Sequence, residues 1–187
     1  MNRTELAIAE AFWQLLEEKP YSKITVKNIV ERCEINRNTF YYHFHDIPDL
    51  LDQILKSRTE AMINKYDHFD AFVDCLIPIV EDTNQRKKAI LNIYHSTDRD
   101  IFVEHLSKIA MDISKQYTDI LTKDLNILSQ DKEVLIRFNK CVIVGIALDW
   151  LDCDASYDLI QSFDRIYKIL ETGNKRHFLL PIIKNKS

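Results

Sequence analysis

Between Asn36 and His43 the chain reads NRNTFYYH, and these residue types have the chemistry of a surface that reads nucleic acid. Arginine can bridge O6 and N7 of guanine, asparagine can pair with adenine, and threonine can meet the thymine methyl. Arg37, Asn38 and Thr39 supply those types in succession, with Asn36 just before them. Tyr41, Tyr42 and His43 add hydroxyl and imidazole groups suited to phosphate oxygens. None of them is acidic. Thr25 and Lys27, a little upstream, are further candidates for backbone contact. Catalysis is not expected, because its usual motifs are missing. Gly145 and Gly173 are the only glycines, so neither a G-x-G-x-x-G turn, a P-loop nor a G-x-S-x-G elbow can be written. There is no H-E-x-x-H, and His43 and His45, two apart, would not share a helix face. His95 and His105 read as hydrogen-bonded helical histidines rather than ligands. No enzyme activity, metal or cofactor is expected.

Such a reading surface needs elements to hold it. The first helix is expected from Arg3 to Glu18, with Asn2 and Glu5 at capping-box spacing and Pro20 ending it. Its inner stripe is Ile8, Phe12, Leu15 and Leu16. A second helix starts at Thr25, a good N-cap, and buries Val26, Ile29, Val30 and Cys33. Glu34 and Ile35 make a tight connection. Asn36 then caps a third helix, with Ile35 and Phe40 spaced as a hydrophobic staple. Phe40 and Phe44 share the inner face, which leaves Arg37, Asn38, Thr39, Tyr41, Tyr42 and His43 outside. Asp46 caps a longer fourth helix carrying Leu50, Leu51, Ile54 and Leu55. Two short helices around a tight turn form a helix-turn-helix, in which the first braces on the backbone and the second enters the major groove.

Residues 25–44, TVKNIVERCEINRNTFYYHF, closely resemble the DNA-binding motif of the TetR/AcrR family of tetracycline-repressor-like regulators. The matching positions are Thr25, Val26, Ile29, Ile35, Thr39, Tyr41 and Phe44, followed by Asp46 and the Leu50–Leu51 pair. The likeness spans roughly the first 60 residues. Three positions depart from it. Glu34 stands where the family usually has a turn glycine, Cys33 where it has alanine, and Ile47 where a lysine often reaches a phosphate. A residue held at positive φ, or an altered turn, is therefore expected at Glu34. The resemblance implies a homodimeric one-component regulator, a repressor in the first instance, that binds a palindromic operator. It also implies a divergent C-terminal domain that receives an effector.

The whole chain has 187 residues, 46% hydrophobic and 29% charged, with 2 glycines and 4 prolines. Hairpins and phosphate-binding loops consume glycine, so an all-α fold of about nine helices is expected. A helix-turn-helix domain over 1–46 would be followed by a regulatory and dimerisation domain over 47–187, its connecting helix at about 47–66. The segment Asp67–Asp70 would lie where module gives way to body. Further helices are expected near 70–82, 85–95, 100–125, 131–152 and 156–171. The net charge is −4, yet the stretch from Lys19 to His45 sums to +3, leaving −7 elsewhere. An acidic body with one basic patch fits a protein that meets a polyanion at one end, here double-stranded DNA.

No run of apolar residues approaches a membrane span, the longest being Cys141 to Leu148, and the start lacks a signal peptide's pattern. A cytoplasmic location with no membrane partner is expected. Cys33, Cys75, Cys141 and Cys153 read as reduced, mostly buried thiols. The stretch CVIVGIALDWL from Cys141 to Leu151 is apolar nearly all round, so it must be covered on more than one side. Together with the next helix it is expected to form a two-fold four-helix interface through Val142, Gly145, Ile146, Asp149, Leu159, Phe163, Ile166, Tyr167 and Leu170. Phe72, Leu76, Tyr94, Phe102, Leu106, Ile109, Ile113 and Tyr117 are candidates to face an effector, which their make-up suggests is hydrophobic or aromatic. A protein co-regulator in place of a small molecule is the alternative: a helical interaction protein, or an activator whose C-terminal domain binds a protein partner. The basic tail from Gly173 surrounds an apolar Phe178–Ile183 segment.

Overall fold

The computed structural model describes residues 1–65, 76–123, 125–162 and 165. Among these residues the chain is built from α-helices, with no strand. The helices are α1 (Arg3–Glu18), α2 (Val26–Arg32), α3 (Arg37–His43), α4 (Ile47–Lys65), α5 (Ile77–Gln85), α6 (Lys87–Tyr94), α7 (Arg99–Leu121) and α8 (Ser129–Asp152). A 3-10 turn occupies Tyr21–Lys23, and residues 159–162 are helical again. The expected stretches 66–75 and 166–187, with Cys75 and the Phe178–Ile183 segment, lie outside the described residues.

Local chemistry accounts for the first four helices. Asn2 accepts from the Thr4 and Glu5 amides at 3.0 Å, and Glu5 reaches back to the Asn2 amide at 2.8 Å, closing the capping box. Thr25 accepts from the Asn28 amide at 3.2 Å, and Asn36 from the Thr39 amide at 2.8 Å. Asp46 accepts from the Asp49 amide at 2.9 Å at the start of α4. α7 stops at Leu121, short of the expected residue 125. Its cap, Thr122, turns its hydroxyl back onto the Thr118 carbonyl at 2.8 Å.

Packing then fixes where the reading helix points. Ile8, Phe12 and Leu16 of α1 are fully buried with Ile29, Phe40, Phe44, Leu50 and Leu51. That core runs without a break into the body, through Ile90, Ile93 and Tyr94 of α6 to Leu106, Ala110, Ile143 and Ala147 of α7 and α8. Polar contacts tie α1 to α6. Asn92 donates to the Leu16 carbonyl at 2.7 Å, and the Ala89 amide donates to Glu17 at 3.3 Å. Trp13, buried on α1, meets two guanidinium groups, Arg58 of α4 at 4.7 Å and Arg86 at 5.3 Å from its ring centre. The helix-turn-helix is therefore bolted to the body rather than strung from it.

Candidate nucleic-acid interface

α3 is seven residues long, and its orientation is set by what it buries. Phe40 is fully enclosed and Phe44, its C-cap, nearly so, their rings 5.8 Å apart. The opposite face holds Arg37, Asn38, Tyr41 and Tyr42, all exposed. Tyr42 is 84% exposed, its ring meeting only the His43 ring edge-on at 5.0 Å among the ring contacts of the described residues. Arg37 and Asn38, in the first turn, have no ion-pair or hydrogen-bond partner among the described residues. Thr39 is half-buried, its hydroxyl 3.2 Å from the Asn36 side chain that caps the helix.

His43 departs from expectation. The helix spacing puts it among the outward side chains, but it is turned toward α1, with Nδ1 3.2 Å from Glu5 and the ring only 12% exposed. Glu5 already holds the Asn2 amide, and these contacts keep its carboxyl below the usual carboxylate range. His43 thus joins α3 to the start of α1. The basic patch is also thinner than its count suggests. Arg32 forks onto Glu18 at 2.7 and 2.8 Å, and Lys27 lies 3.7 Å from Glu31. Thr25 is exposed beside Lys27 at the start of α2.

The turn between α2 and α3 resolves the missing glycine. Glu34 sits in the left-handed region at φ 55°, so the altered residue keeps the turn and bears its strain. Cys33 bonds its Sγ to the Ile29 carbonyl at 3.1 Å, and burial pushes its thiol up. Cys141 and Cys153 correct the expectation of buried thiols, since both are exposed.

In the body, a chamber of about 30 Å³ lies between α4, α5 and α7. Leu55, Thr59, Ile79, Thr83, Phe102, Leu106 and Ile109 line it, with His105. Of the expected effector contacts, Phe102, Leu106 and Ile109 line this chamber. Leu76, Tyr94 and Ile113 are buried elsewhere in the core, Tyr117 is half-buried, and Phe72 lies outside the described residues. A space of this size takes a water molecule or two.

Residues 8–54 match the family described as bacterial regulatory proteins, tetR family, and residues 70–172 match a transcriptional regulator C-terminal region of the same group. This chain belongs to the TetR family of transcriptional regulators. The HTH-type dhaKLM operon transcriptional activator DhaS of Lactococcus lactis subsp. lactis (strain IL1403) is 26% identical over 149 residues, 76% of each protein. The uncharacterized HTH-type regulator YxbF of Bacillus subtilis (strain 168) is 20% identical over 164 residues, and the match spans 40% of its length. Among solved structures, the dihydroxyacetone kinase operon activator DhaS superposes with a TM-score of 0.71 at 20% identity, covering 92% of this chain and 97% of that one. The fatty acid degradation regulator FadR from Bacillus halodurans gives 0.58 at 16% identity, with the same coverage. At these identities the structures establish the fold.

TetR-family regulators bind DNA and dimerise, with an effector domain at the C-terminus. In this TetR-family member α8 has two unlike faces. Asn139, Ile143, Ala147, Trp150 and Leu151 are buried against the body. The other face carries Val134, Phe138, Cys141, Gly145 and Asp149, all exposed, with Val142 half-buried at its edge. Asp149 accepts from the Tyr157 hydroxyl at 3.1 Å. Ile146 is half-buried on its own chain, and Leu159, expected at an interface, is enclosed by Trp150 and Ala155 instead. Phe163, Ile166, Tyr167 and Leu170 lie outside the described residues. Val134 and Phe138, exposed in the more charged half of the helix, continue the Gly145 face at i−11 and i−7. No helix among the described residues is long and apolar enough to cross a membrane.

Proposed function

We propose that this TetR-family regulator binds an inverted-repeat operator as a homodimer and represses from it, under control of an effector taken up by the body. The observation that carries the DNA assignment is the α3 surface: Arg37 and Asn38 unpaired in the first turn, Tyr41 and Tyr42 exposed, all on a helix pinned from behind by Phe40 and Phe44. N-terminal residues of a reading helix meet base edges, so Arg37 and Asn38 specify while Tyr41 and Tyr42 position. Thr25, Lys27, Asn36 and Thr39 complete the backbone-facing set, and His43 acts by holding α3 to α1. Dimerisation uses the outer face of α8 around Gly145. Residues 1–46 form the reading module and 47–187 the regulatory and dimerising one, with α4 as lever.

A second reading is favoured by one observation. The Lactococcus relative is an operon activator by name, so a protein-assisted activator is the alternative to a repressor. Footprinting on the native promoter tests both. A two-fold symmetric protected site, with half-site centres roughly 34–36 Å apart or a near multiple, is expected. Its overlap with the core promoter supports repression, and a position upstream supports activation. An asymmetric footprint would overturn the dimeric operator.

A further inference from the structure

The far end of the reading surface carries no fixed positive charge. Between Arg37 and Lys56 the chain has no lysine or arginine, but it has Asp46, Asp49 and Asp52. Two histidines fall in this stretch, and His43 is spent on Glu5. His45, one residue past the C-cap of α3, has a side chain 88% exposed. It is held in place, since its amide donates to Asp49 at 2.7 Å and its Nδ1 lies 2.8 Å from Asp46. The Asp49 amide, and after it His45, hold the Asp46 carboxyl below its ordinary range. An ionised carboxylate only accepts, so Nδ1–H donates to it and Nε2 is the nitrogen left to solvent. α3 has seven residues, about 10 Å at 1.5 Å per residue, and a major groove is about 12 Å wide. With Arg37 at the base edges, the residue just past the other end of α3 comes level with the flanking phosphates.

We propose that His45 is a phosphate contact made only by its imidazolium form, so that operator binding takes up a proton at each reading helix. The proposal rests on the operator reading above. With Nδ1–H given to Asp46, a neutral ring presents Nε2 as an acceptor to a phosphate oxygen that also only accepts. The charged ring presents Nε2–H instead and makes a charge-assisted bond. Imidazoles gain and lose this charge between about pH 5 and 8. Asp46 on one side and a phosphate on the other both favour the charged ring, so the complex holds the proton more tightly than the free protein. The surrounding groups leave this role to His45 alone. Asp49 is occupied by the His45 amide and by Gln53 at 3.0 Å, and Asp52 is turned to His105 at 2.8 Å. Asp46 also faces the buried Tyr21 phenol, which Asp98 at the start of α7 faces too. Ile47 is half-buried and uncharged. Binding is therefore strongest at low pH and declines as the pH rises.

The test uses the full chain and a labelled duplex carrying the footprinted operator, with affinity read by fluorescence anisotropy at several pH values and salt concentrations. From about pH 6 to pH 8 the parent should lose affinity on the order of tenfold. Its salt slope should be steeper at the lower pH by about 0.9 per chain. His45→Gln should remove this component and bind at every pH as weakly as the parent does at high pH. His45→Lys should restore tight binding without the pH dependence, a rescue that a merely structural role would not give. The other histidines are the same in all three proteins, so the difference isolates position 45. A pH profile shared by the parent and His45→Gln overturns the contact while leaving the operator reading intact. No operator binding by the parent at any pH overturns the operator reading, and the His45 contact with it.

Discussion

Arg37 offers the most direct test of how this regulator reads sequence. Its guanidinium is free among the described residues, at the first position of α3. Arg37→Ala should weaken operator binding by about 1–3 kcal/mol and relax base preference at one position in each half-site, as read by binding to a set of single-base operator variants. Tyr42→Ala should instead weaken all sequences alike and leave the salt slope unchanged, because a neutral phenol releases no counterion. Glu34 makes a stability prediction of opposite sign. At φ 55° a side chain is strained where glycine is not, so Glu34→Gly should stabilise the fold by about 0.5–1 kcal/mol, seen as a higher denaturant midpoint at constant slope.

Glu5 ties the pH dependence of the module to its first helix. The Asn2 amide, and after it His43, hold its carboxyl below the ordinary value of 4.5. A carboxyl lowered on folding stabilises the protein fully above the unfolded value. The contribution fades as the pH falls through the lower folded one. Thermal midpoints measured from about pH 5 downward should therefore fall less steeply in Glu5→Gln than in the parent chain. A parallel acid limb in the two proteins would remove Glu5 from this role.

At the scale of elements, the short helices depend on their caps. A helix of seven residues such as α3 cannot hold itself in water, so it persists through Phe40 and Phe44 behind it and Asn36 at its start. Asn36→Ala should cost about 1 kcal/mol of stability, checked by denaturant unfolding, and should lower operator affinity through fraying of the turn that carries Arg37. α1 plays a larger part than bracing. Its Trp13 meets Arg58 and Arg86, its Glu10 accepts from Arg86 at 2.9 Å, and its carbonyl at Leu16 accepts from α6. A displacement of α4 or α6 would be felt by α1 and hence by α3. That makes α1, with α4, a route from body to reading helix.

For the whole molecule the decisive quantity is the number of chains per particle. Glycine inside a helix costs roughly 1 kcal/mol relative to alanine, and a Cβ built on Gly145 meets nothing among the described residues within 4 Å. Nothing among the described residues gives a packing reason for glycine there, whereas a second helix crossing closely would. The solution mass at micromolar concentration should be twice 22.1 kDa. Gly145→Leu should preserve helical content and shift that mass toward one chain, as should Phe138→Asp. A dimer unaffected by either change would move the interface off this face of α8.

The sequence determined by itself those features that obey short-range rules. The capping box at Asn2 and Glu5, the caps at Thr25, Asn36 and Asp46, and the inward spacing of Phe40 and Phe44 are relations across three or four residues, which a linear reading contains. So is the orientation of Arg37, Asn38, Tyr41 and Tyr42. Tertiary structure alone decided the pairings between distant elements. His43 turned from the expected DNA face to Glu5, 38 residues away, and Arg32 was neutralised by Glu18. Leu159 was spent on Trp150 rather than left for a partner. His105 met Asp52 with one nitrogen and a cavity with its surroundings. Periodicity says which side of a helix is buried. Which helix covers it, and which charge waits there, depends on how the elements cross, and no spacing along one chain segment encodes that.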